Sequence, residues 1–218
     1  MILFHTLGVL HIWYLLGSPV VMDRVAVVVG RRVVKSSDID RDLRVSQFLN
    51  REPLNFSVDA KRKVAERLID QELIRQEMMN GGYRQPTEQE ANGILQQLVR
   101  DRFQGSEPQL RAALGRYGLT REQLSRYFLW QMTVLRFIDE RFRPGVLVTD
   151  EDVRAYYNDH RNELEKAYPQ NHSIEALDAK IREIIAGERV NRSFDEWLTQ
   201  TRGQTRIEYR DAAFREGP

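Results

Sequence analysis

Between Arg24 and Lys35 the chain reads RVAVVVGRRVVK, two β-branched runs on either side of Gly30-Arg31. A glycine-led pair between such runs predicts a hairpin with a two-residue turn and φ > 0 at the glycine. So short a hairpin needs a third strand or a helix to cover it. From there the apolar period changes to the helical one. Ser37 and Asp40 open a helix over about 37–50. Ser57 opens a second over about 58–80, with Val64, Ala65, Leu68, Ile69 and Leu73 on one face and Gly81-Gly82 as its stop. Thr87–Glu90, Ser106–Gln109 and Thr120–Gln123 match the Ser/Thr-x-x-Glu/Gln capping box, so each marks a helix start. Ala91, Ile94, Leu95, Leu98 and Val99 form the apolar face of the first of these helices. Leu110, Ala113, Leu114 and Tyr117 form that of the next, which ends at Gly118.

The helix from Thr120 to Phe142 carries two stripes. Leu124, Phe128, Leu135, Ile138 and Phe142 form one; Tyr127, Trp130, Val134 and Phe137 form the other. Two apolar faces predict a helix central to its domain. Arg143-Pro144-Gly145 breaks it, and Thr149 caps a shorter helix with Val153, Tyr156 and Tyr157. A polar break over Tyr168–His172 precedes a helix opened by Ser173, with Ile174, Leu177, Ile181, Ile184 and Ile185. Ser193–Glu196 is a further capping box, predicting a new helix with Phe194, Trp197 and Leu198. In the closing TRIEYR, Thr205, Ile207 and Tyr209 alternate with polar residues as a half-buried strand does. It is the natural third strand for the hairpin. The expected fold is mainly α, a helical domain whose two chain ends meet in a small antiparallel sheet. Residues 23–165 form its body, and 166–218 complete the same domain.

Charge alters this picture at the N-terminus. Residues 1–22 contain no Lys, Arg, Asp or Glu, and 15 of them are apolar. The run Leu7–Leu16, followed by Gly17-Ser18-Pro19, has the length of a signal-peptide core, although a membrane anchor has the same outline. That pattern makes export the expectation, and export without cysteine fits a periplasmic protein that needs no oxidation. The remainder is polar and highly charged, which predicts a modest core in an elongated or grooved body. With 33 basic against 32 acidic residues the chain lacks the electrostatic footprint of a nucleic-acid binder.

Candidate chemistry is sparse. The sequence has no phosphate-binding loop, nucleophile elbow, dinucleotide fingerprint or zinc-protease motif. Beyond residue 22 the only histidines are His160 and His172, both beside polar helix ends. Asp150-Glu151-Asp152 sits at a helix N-terminus, where the macrodipole favours it without any acid–base role. No cofactor or metal is expected. Met78, Met79, Trp130 and Phe137 remain as candidates for an apolar peptide-binding groove, with Tyr156 and Tyr157 near its rim. Methionine and aromatic side chains suit that task because their packing adapts to many sequences.

The stretches DRVAVVVGRRVVKSSDIDRDL, ERLIDQELIRQEM and YGLTREQLSRYFLWQMTVLRFID resemble the N-terminal domain of SurA-type periplasmic chaperones and related peptidyl-prolyl isomerases. Val148–Val153 with Tyr156-Tyr157 is similar to the segment that precedes a parvulin domain in that family, and FDEWLTQTRGQTRIEY to its C-terminal helix and strand. The resemblance spans nearly all of 23–210. It implies an ATP-independent holder of unfolded envelope proteins, outer-membrane β-barrel precursors foremost. Between Tyr157 and Leu177, where the family carries an isomerase domain, too few residues stand for one, and the family's active-site histidines have no counterpart. The alternatives are an isomerase with residual or partner-dependent activity and an inner-membrane-anchored assembly factor.

Overall fold

The hairpin forms around the expected turn. In the computed structural model, which describes residues 23–170 and 173–214, β1 (Val25–Val29) pairs antiparallel with β2 (Arg32–Lys35). Gly30 takes φ +56°, and its N–H donates to the Arg206 carbonyl at 2.8 Å. That bond leads into β3 (Ile207–Tyr209), which pairs antiparallel with the other side of β1, Val29 opposite Ile207 and Val27 opposite Tyr209. The sheet order is β2-β1-β3, so the two ends of the described chain meet as the alternation predicts. The signal peptide or anchor expected over 1–22, and His172, lie outside the described residues.

Eight α-helices follow among the described residues: α1 (Ser36–Asn50), α2 (Val58–Gly81), α3 (Glu88–Phe103), α4 (Glu107–Arg116), α5 (Arg121–Phe142), α6 (Asp150–Asp159), α7 (Arg161–Ala167) and α8 (Ile174–Gln204). The fold is mainly α with a small antiparallel sheet. Hydroxyl caps set most of the starts. Thr87, Thr120 and Thr149 each accept from the backbone N–H three residues on, and the residue at that position reaches back to the cap's own N–H. Ser57, Ser106 and Ser173 cap through the hydroxyl alone.

Three starts differ from the sequence pattern, and one of them, α7 at Arg161, follows His160 with no side-chain cap and is not predicted by that pattern. α1 begins at Ser36, with Lys35 in the cap position and its N–H donating to Asp38 at 3.2 Å. Ser37 instead donates to Asp23 through its hydroxyl at 2.5 Å, tying the entry of β1 to the exit of β2. Ser193 starts nothing, because α8 runs unbroken through it for 31 residues, about 46 Å at 1.5 Å per residue. A capping box acts where the N–H groups of a first turn have no upstream carbonyl. Residues 186–192 hold no proline and Gly187 stays helical, so those carbonyls are present.

Among the described residues three clusters of buried apolar side chains fill the body. The first packs the sheet residues Ala26, Val27, Val29 and Val34 on α1 and α2. The second joins α1, α3, α4 and α5 through residues such as Phe48, Leu95, Leu110 and Leu124. The third joins α6, α7 and the start of α8 through Val153, Leu164, Leu177, Ile181 and Ile185. The C-terminal half of α8 returns to the sheet end. There Arg202 pairs with Glu66 and Asp70 of α2, and the Tyr209 hydroxyl donates to Glu66 at 2.5 Å. On α5, Leu124 is buried as its stripe predicts, while Leu135 of the same stripe is 68% exposed.

Candidate functional site

A cavity of about 830 Å³ lies between α1, α2, α5 and the outer strand β2. Each helix lends it one face at helical spacing: Asp38, Arg41, Asp42 and Val45 from α1; Leu68, Gln71, Arg75 and Met78 from α2; Gln123, Tyr127, Trp130 and Thr133 from α5. Arg32, Val33 and Val34 of β2 complete the lining. Of the residues expected to form a groove, Met78, Met79 and Trp130 are brought together here. Met79 is 70% exposed at the mouth.

The other three are elsewhere. Phe137 is completely buried, which corrects its assignment to a groove. Its ring meets Tyr83 edge-on at 5.0 Å, Phe142 at 6.0 Å and Trp197 of α8 at 5.6 Å. Trp130 and Phe137 share one stripe, but α8 covers only its C-terminal half. Tyr156 and Tyr157 line no part of the cavity, a second correction. They pack on the third cluster, and Tyr156 stacks on His160 at 4.2 Å.

Polar groups in the cavity fall into three sets. Arg41 pairs with Asp38 at 2.6 Å, Arg67 with Asp42, and Arg75 with Glu72 at 3.3 Å. Burial holds the Glu72 carboxyl above its usual range even with Arg75 and Arg32 nearby, and it raises the Tyr127 phenol as well. The Arg75 guanidinium also lies 3.9 Å from the centre of the Trp130 ring, a cation–π contact that fixes the indole as part of the wall. Arg32 and Arg126 form no salt bridge among the described residues, although Glu72 and Glu122 lie near them: Arg32 touches the Met79 sulfur at 2.6 Å, and Arg126 donates to the Glu122 carbonyl of its own helix at 3.4 Å. Gln71 is only 8% exposed, yet its amide has no hydrogen-bond partner among the described residues, nor has the Trp130 indole N–H.

Sequence reasoning missed Gln71, Arg75, Tyr127 and the β2 edge. Gln71, Arg75 and Met78 do recur at one face of α2, so a polar stripe leading to Met78 was the available signal. That this stripe faces α5 is a tertiary fact. No group of residues suited to a metal ion occurs among the described residues, and no helix there is long and apolar enough to cross a membrane. Compared with known proteins, the chain matches no family model and no curated protein.

Proposed function

We propose that the protein is an ATP-independent chaperone that holds unfolded polypeptide in the cavity between α1, α2 and α5. The observation that carries this reading is the wall itself. Two flexible thioethers and a fixed indole, whose buried N–H has no partner among the described residues, surround an open space of about 830 Å³ into which the Gln71 amide also faces. Methionines adapt to side chains of many shapes, while the indole offers area at little cost in entropy. An amide that both donates and accepts fits a peptide group, which does the same. Contacts of this kind are individually weak, so clients are released without nucleotide. The client class, outer-membrane β-barrel precursors, and a periplasmic location rest on the resemblance to SurA-type chaperones and on the charge-free N-terminal 22 residues.

The test dilutes a urea-unfolded β-barrel protein into buffer and follows its aggregation by light scattering. The parent protein should suppress scattering. Trp130→Ala should melt within a few degrees of the parent and hold clients about tenfold less well, the loss typical of an aromatic anchor. A Trp130→Ala variant that holds clients as well as the parent does would show that the cavity is not the holding surface.

A further inference from the structure

β2 is the outer strand of its sheet, and its free edge forms one side of the cavity. The ladder decides which groups that edge presents. Gly30 bonds to Arg206 and Arg210 to Ala26, both from the β3 side of β1, so Ala26, Val28 and Gly30 direct their backbone groups towards β3. In an antiparallel ladder these directions alternate. Val27 and Val29 therefore bond towards β2, and Val33, opposite Val28, turns its N–H and C=O away from β1. No strand among the described residues pairs with that side of β2. Val33 is 44% exposed, and the neighbouring outward position is closed, since the Lys35 N–H is spent on Asp38.

We infer that the client is taken as an extended strand that pairs with Val33, with an acidic client residue between Arg32 and Arg126. This rests on the holding function proposed above and specifies how it operates. Three independent observations converge on it. Val33 offers the donor–acceptor pair that strand addition uses. Gln71 keeps a second donor and acceptor in the same cavity, nine-tenths buried and unpaired among the described residues. Arg32 and Arg126 line that cavity and neither forms a salt bridge among the described residues, while its acids Asp38, Asp42 and Glu72 are each bridged by another arginine. The occupant they complement is an apolar segment in extended conformation carrying a carboxylate. One open position on a strand of four residues suffices to clamp a peptide group and is too short to template a sheet.

The probe is a short fluorescein-labelled peptide that alternates Val and Thr around a central Phe, with one Asp beside it. Its binding to the full chain is read by anisotropy. A series carrying a single backbone N-methyl group at each position in turn should lose about tenfold in affinity at one or two neighbouring positions and stay within about twofold elsewhere. Replacing the Asp of the peptide by Asn should weaken it about fivefold. On the protein side, Val33→Pro removes a donor that serves no ladder bond, so it should melt normally and bind about tenfold less tightly; Val33→Ala should bind within about twofold of the parent. Uniform tolerance of N-methylation, or equal binding by Val33→Pro, overturns the strand mode while holding of unfolded protein persists. Failure of the parent peptide to bind a protein that still holds clients overturns it as well. Loss of peptide binding together with an inability to suppress aggregation overturns the holding reading itself.

Discussion

Trp130 and Phe137 stand two helical turns apart on one stripe of α5, and their surroundings differ in one respect. Trp197 of α8 closes over Phe137, whereas Trp130 is left facing the cavity with Arg75 against its ring. The same residue class thus serves core and wall. Phe137 sits where four aromatic rings meet, since Phe142 also contacts Trp197 at 6.0 Å and Tyr83 approaches from beyond the end of α2. Phe137→Ala should cost about 3–5 kcal/mol, the usual range for a buried phenylalanine. Urea unfolding checks this, and a loss below about 1 kcal/mol would mean that the site collapses around the gap or is looser than its burial implies.

At the scale of elements, the caps carry most of the local information. The Thr120 hydroxyl accepts the Gln123 N–H at 3.2 Å, and the Gln123 side chain accepts the Thr120 N–H at 2.8 Å. Ser193 has the same motif but lies inside α8. Thr120→Ala should therefore destabilise by about 0.5–2 kcal/mol, while Ser193→Ala should stay within about 0.5 kcal/mol of the parent. Thermal melting of the two variants separates a working cap from a copy of its sequence. Equal losses would place a helix boundary at Ser193 after all.

Across the whole molecule, the last described segment, Ile207 to Phe214, is part of the core. β3 pairs with β1, Phe214 is buried in the first cluster, and Arg202 and Tyr209 converge on Glu66 of α2. Removing 203–218 would expose the second edge of β1 and leave Val27 and Val29 without their cover. The truncated chain should melt at a clearly lower temperature, with loss of cooperativity across the sheet cluster, as followed by circular dichroism. An unchanged melting curve would mean that β3 is dispensable.

The sequence by itself determined the hairpin, its glycine-led turn, the closing strand and nearly all helix starts. These depend on local chemistry: a positive φ at Gly30, a hydroxyl at each cap, an apolar period of two or of three and four. It also pointed to Met78, Met79 and Trp130. What only the tertiary structure decided is which apolar stripes are covered. The pattern predicts a new helix at Ser193, whereas α8 runs through it unbroken and sets Trp197 against Phe137. Gln71, an ordinary polar residue in the string of letters, acquires its meaning because α1, α2 and α5 close around it and leave its amide on the cavity. Such pairings arise between residues far apart in the chain, and no local periodicity encodes them.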